Sequence, residues 1–177
     1  MRNPYLVIID VQEKLIPHIQ NKENLLSNIE ILIRGFKIFD LPIIVTEQVP
    51  DKLGPTVKSI KDLLDDVNPI SKSSFSCAGE FEFLKRSESL SQNDGIILAG
   101  IETHICVYQT ERDLIRRGHH VEVVSNAVGS RDKNNHDIAL DRIRNNGGLL
   151  TTVEMLLFNL QEKAGGERFK KLTKLIK

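Results

Sequence analysis

The strongest constraint in this sequence is the alternation of two hydrophobic periods along its whole length. Apolar, β-branched runs recur at residues 5–11, 42–46, 95–100, 120–125 and 149–153. Several are apolar at nearly every position, the pattern of strands buried on both faces. Between them lie stretches with helical spacing. Residues 24–39 carry Leu25, Ile29, Leu32, Phe36 and Phe39, a stripe at intervals of three and four. Residues 57–65, 79–87, 104–117, 133–144 and 167–176 read as further helices, and Gly118 and the Gly147-Gly148 pair fall where helices should stop. Strand-helix alternation implies parallel strands joined by right-handed crossovers, with helices on both faces. The expected fold class is therefore α/β: a three-layer α/β/α arrangement around a mostly parallel sheet. A chain of 177 residues suits a single domain spanning 1–177. The longest irregular stretch, 48–55, holds two prolines and a glycine.

Charge and composition narrow the function classes. Lys+Arg 24 balances Asp+Glu 24, so a global electrostatic footprint for polyanions is lacking and no nucleic-acid partner is expected. Aromatic residues are 5% and Trp is absent, which disfavours base-stacking platforms. No run approaches the roughly 20 apolar residues of a membrane span, so no membrane partner is expected. The sequence opens Met-Arg-Asn-Pro and enters a strand-like run at Tyr5, which leaves no room for a leader and makes the cytoplasm the expected location. In a reducing compartment the two cysteines, Cys77 and Cys106, are expected to remain unbridged.

Ligands of open parallel sheets sit beyond the carboxyl ends of the strands. Asp10 lies at the end of the first apolar run, Lys72 follows a short extended piece at 68–71, and Cys106 comes after the run at 95–100, so the fold would bring them toward one rim. A carboxylate, an ammonium and a thiol make chemical sense together. Cysteine attacks as the thiolate, and a helix start and a nearby ammonium both favour that anion. A carboxylate can accept the thiol proton and return it to a leaving group. Spacing alone leaves plainer readings open. A Cys in an apolar segment is ordinarily inert packing, an Asp ending a strand often caps a turn, and a single Lys is usually solvated.

Three ordered segments carry a resemblance. Tyr5-Leu-Val-Ile-Ile-Asp-Val-Gln, Ser71-Lys-Ser-Ser-Phe-Ser and Leu98-Ala-Gly-Ile-Glu-Thr-His-Ile-Cys-Val together resemble the isochorismatase-like cysteine hydrolase superfamily. Thr46-Glu-Gln-Val-Pro with the later Leu53-Gly-Pro-Thr is similar to the branch of isochorismatase-domain-containing proteins. The resemblance implies a Rossmann-like fold and a Cys-Asp-Lys triad, matched here by Cys106, Asp10 and Lys72. It implies cleavage of an amide or related C–N bond of a small-molecule substrate. Cys106 would form an acyl-thioester, Asp10 would shuttle the proton, and Lys72 would stabilise the thiolate. It also implies a non-proline cis peptide between Ile101 and Glu102, with the backbone amides of Glu102 and Cys106 as oxyanion donors. Relatives are commonly homo-oligomers, and the same is expected here.

Departures from the family pattern limit the transfer. True isochorismatases cleave a vinyl ether and lack the cysteine, so Cys106 argues against that reaction. Nicotinamidases of the superfamily hold a metal through Asp-x-His and a further His after the second strand. This chain has Thr46-Glu47-Gln48 there and no His from that strand until His104, so neither a metal nor a cofactor is expected. Asn126 stands where relatives often carry Asp, ahead of an Ala-Val-x-Ser-Arg segment. Gln12, Gln48 and Phe75 flank the motif positions and are candidates for the substrate-pocket wall, with loop structure as the other reading. Cys77 reads as a packed thiol, and His104 as a helix cap or surface residue. The alternative to a hydrolase is a catalytically idle member that binds a metabolite or protein partner through the same pocket.

Overall fold

The computed structural model describes residues 3–64, 67–90 and 94–177. Its elements run β1 (Tyr5–Ile9), α1 (Lys22–Ile38), β2 (Ile43–Gln48), α2 (Pro50–Leu53), α3 (Lys58–Lys61), β3 (Ile70–Lys72), α4 (Phe81–Ser89) and β4 (Ile96–Ile101). Then follow α5 (Tyr108–Arg116), β5 (Val121–Gly129), α6 (Lys133–Asn145), β6 (Leu149–Thr151), α7 (Val153–Gln161) and α8 (Gly166–Ile176). The strands form one six-stranded sheet in the order β3-β2-β1-β4-β5-β6, and every pairing is parallel.

Burial on both faces explains the nearly unbroken apolar strands. Along β1 the side chains alternate between two cores. Leu6 and Ile8 face the core built with α1, α7 and α8, where Leu32, Phe36, Leu157 and Leu172 pack. Tyr5, Val7 and Ile9 face the other core with Phe83 of α4, Leu114 of α5 and Ile143 of α6. That is the three-layer α/β/α, Rossmann-like arrangement. On the first face α1 and α7 touch closely, since a Cβ at Gly35 would lie 2.4 Å from the side chain of Leu157.

Several boundaries differ from the periodicity. Residues 57–65 form only the short α3 and following turns, with Ile60 as the one buried residue of that helix; Asp65 lies outside the described residues. The stretch 104–117 is two pieces, a π-helical turn over Thr103–Val107 and then α5. Within 48–55, Gln48 ends β2 and Pro50 starts α2. The helix α7 has no counterpart in the periodic reading. There only the β-branched pair Thr151-Thr152 separates Leu150 of the strand from Val153 of the helix, and the break is marked by Thr152, whose side chain accepts from the Met155 amide at 3.3 Å. Asn126, placed after a strand by the sequence, sits inside β5. Its side-chain oxygen accepts from the Val153 amide at 3.0 Å, tying β5 to the start of α7.

Candidate functional site

The strand order reverses direction between β1 and β4, which makes the gap beyond their carboxyl ends a topological switch point. Asp10 follows β1 directly. Its backbone is left-handed, with φ of 53°, and its amide donates to Thr46 at the end of β2. Cys106 follows β4 on the π-helical turn that leads into α5. Lys72 closes β3, two strands away, and its long side chain reaches back across β2.

Those three side chains meet. The Lys72 ammonium lies 2.7 Å from one Asp10 carboxylate oxygen and 3.7 Å from the Cys106 sulfur. The other Asp10 oxygen accepts from the Thr46 hydroxyl at 2.8 Å. The ammonium also donates to the Gln48 side-chain oxygen at 2.5 Å and to the carbonyls of Ser74 and Phe75 at 3.1 Å each. Asp10, Lys72 and Cys106 are all buried.

Burial and charge act against each other here. Burial pushes the Asp10 carboxyl up, and Lys72, together with the hydroxyl of Thr46, offsets that only in part. Burial alone would lower Lys72, but Asp10 and the neighbouring thiols outweigh it and hold the ammonium above its ordinary range. The Cys106 thiol is raised, first by burial and then by the Asp10 carboxylate, with Lys72 opposing. Helix-start and ammonium arguments from the sequence favour a thiolate, whereas the buried carboxylate beside the sulfur favours the thiol. The resting centre thus holds one cation and one anion. Losing a second proton to solvent is costly, while moving the sulfur proton onto Asp10 leaves the net charge unchanged.

The remaining sequence candidates separate into different places. Gln12 is fully buried, and its carboxamide donates to the carbonyls of Gln48 (3.0 Å) and Gly54 (2.6 Å) and accepts from the Gln48 amide (2.8 Å). It braces the 48–55 loop, with its polar atoms taken by backbone. Gln48 touches Lys72 and also donates to the Ser73 carbonyl at 2.8 Å. Phe75 is 54% exposed on the loop whose carbonyls hold Lys72. Glu47 accepts from the amide and hydroxyl of Thr56, both at 2.7 Å. The peptide between Ile101 and Glu102 is cis. Cys77 is a free, buried thiol 3.9 Å from the Thr46 hydroxyl, pushed up to about 11 by burial first and Asp10 second.

Side-chain contacts that the sequence did not reveal tie the turn bearing Cys106 to the segment after β5. The buried Glu102 carboxylate accepts from the Arg131 amide at 2.8 Å and from its guanidinium at 2.9 and 3.1 Å. Thr103 and His136 meet at 2.9 Å, and His104 and Ser130 at 3.0 Å. His104 is therefore neither a helix cap nor a bare surface residue. The signal was the Ser130-Arg131 pair directly after an apolar strand.

The model of the Isochorismatase domain matches residues 4–155. Isochorismatase domain-containing protein 2A of Mus musculus is 36% identical over 172 residues, covering 97% of this chain and 82% of that protein. A secreted isochorismatase effector, Isc1 of Phytophthora sojae, is 35% identical over 175 residues, covering 97% and 83%. Among solved structures, the MAR1 ribonuclease from Caenorhabditis elegans superposes with a TM-score of 0.91 at 34% identity, covering 99% of this chain and 90% of that one.

Proposed function

This chain belongs to the isochorismatase family of hydrolase-fold proteins, and from that premise we propose that it is a cysteine hydrolase cleaving an amide or related C–N bond of a small molecule. The observation that carries this reading is the shared ammonium: Lys72 contacts both Asp10 and Cys106 in one buried centre. In the proposed reaction the Cys106 sulfur attacks the substrate carbonyl as its proton passes to Asp10. The amides of Glu102 and Cys106 receive the developing oxyanion. Asp10 then returns the proton to the leaving nitrogen, the C–N bond breaks, and an acyl-thioester remains. Water, deprotonated by Asp10, attacks that thioester and releases the acid and the free thiol. Lys72 keeps the centre neutral through both proton shifts.

Acid-quenched mass spectrometry of the protein mixed with a panel of small amides tests the proposal. The expected result is an acyl adduct on the Cys106 peptide, labile to hydroxylamine and absent in Cys106→Ala. Turnover that survives Cys106→Ala would overturn it. A second reading, RNA cleavage, takes its support from the name of the C. elegans relative. Zero net charge and few aromatics weigh against it. RNA hydrolysis by the wild type that falls with added salt and vanishes in Cys106→Ala would favour that reading. Turnover of neither class, with a small molecule still binding, would favour the idle member.

A further inference from the structure

Three consecutive residues of the nucleophile turn are each tied by a side chain to the segment after β5: Glu102 to Arg131, Thr103 to His136, and His104 to Ser130. Glu102 is the pivot. Its carbonyl accepts from the amides of Ile105 (3.1 Å) and Val107 (3.3 Å), so its backbone closes the turn that presents Cys106. Its carboxylate, on a residue only 5% exposed, is held by the Arg131 amide and guanidinium. The Arg131 side chain is itself 59% exposed and stands outside the core. A mostly solvated arginine clamping a buried glutamate at this point does little for packing. Two parallel donors on one carboxylate fix its orientation, which a single contact could not.

We infer that Arg131 is a positioning residue: through Glu102 it fixes the backbone on which the amides of Glu102 and Cys106 receive the substrate oxyanion. Nothing in this role requires Arg131 to touch substrate. It rests on the cysteine-hydrolase reading above, and it assigns oxyanion geometry, as distinct from thiol reactivity, to the contact between the segments after β4 and β5.

Two reagents separate those properties. Iodoacetamide alkylates the sulfur by displacement and develops no oxyanion, whereas p-nitrophenyl acetate acylates it through one. With Arg131→Ala in the otherwise intact chain, the acylation rate of Cys106 should fall roughly ten- to a hundredfold while the alkylation rate stays level. Arg131→Lys should recover part of the loss, since an ammonium pairs with the carboxylate at one point only. Equal loss in both reactions, or no loss in either with a folded variant by circular dichroism, would overturn the inference. Should Arg131→Ala fail to fold, Arg131→Gln carries the same comparison. A wild-type Cys106 that alkylates yet is not acylated would instead remove the hydrolase reading and this role with it.

Discussion

Asp10 occupies a left-handed backbone conformation that Asp and Asn tolerate better than other side-chain-bearing residues. This makes Asp10→Asn a gentle probe, because the backbone and the Thr46 contact can both persist. The charge argument gives its effect a sign. Asp10 raises the Cys106 thiol, so removing the carboxylate lets Lys72 draw the sulfur toward thiolate. Alkylation of Cys106 near pH 7 should therefore quicken in Asp10→Asn, while the proposed amide hydrolysis should be lost for want of a proton donor to the leaving nitrogen. Lys72→Met should slow alkylation. In the wild type, the thiolate forms by proton transfer within the pair, so alkylation should run level across neutral pH with no inflection near about 8.5, the ordinary thiol value. Site-resolved mass spectrometry over a pH series measures all three. A slower Asp10→Asn, or a wild-type inflection near the ordinary value, would contradict the shared-proton picture.

Among the elements, β4 and α5 carry the sharpest tests. Gly100, next to last in β4, has φ of +118°, and a Cβ there would fall 2.1 Å from the Ile9 carbonyl oxygen. The contact is with backbone, which cannot step aside. Gly100→Ala should destabilise the fold by about 3 kcal/mol or more in urea unfolding. On α5, Glu111 is fully buried, and neither of its carboxylate oxygens finds a well-formed hydrogen bond. Burial pushes it up to about 7, with Asn146 and Arg112 offsetting only in part. Between the unfolded value of 4.5 and about 7 the folded chain holds the extra proton, so stability falls as pH rises through that window. Glu111→Gln should flatten that fall and gain on the order of 1–3 kcal/mol at pH 8, with little gain at pH 5. Chemical denaturation at the two pH values reads the difference. The elements also mark where sequence reading fails. The stripe of α1 and the runs of β1 and β4 were plain because each keeps one period from end to end. The β6–α7 junction was hidden because the period changes across Thr151-Thr152, a β-branched pair that itself reads as strand. The π-helical turn before α5 left no trace, because Thr103 to Val107 carry a pattern compatible with ordinary helix.

At the scale of the whole molecule, sheet order decides what is near what. The carboxyl-end rule and the motif residues were enough to bring Asp10, Lys72 and Cys106 to one rim. They could not show Thr46 on Asp10 or Arg131 on Glu102, because those contacts depend on which strands are neighbours and on loop paths. Phe75 and Phe81 stand 54% and 80% exposed on the loop-and-helix segment beside Lys72. Exposed aromatics beside a site suit a contact between copies of the chain. Sedimentation should accordingly give a mass several times 20.0 kDa, and Phe81→Asp should reduce it. A wild type that sediments as the single chain would remove that expectation.

The pairing of β1 with β4 sets Tyr5 beside Ile96, with most of the first half of the chain between them. Asp10, Lys72 and Cys106 follow or close three different strands, and among the described residues β3 pairs only with β2. While the polypeptide emerges from the ribosome, Asp10 and Lys72 exist long before the sulfur does. No partial product of synthesis that ends before β4 holds all three side chains. The three side chains meet only once β4 has paired with β1, so their meeting depends on a long-range closure that local structure cannot supply.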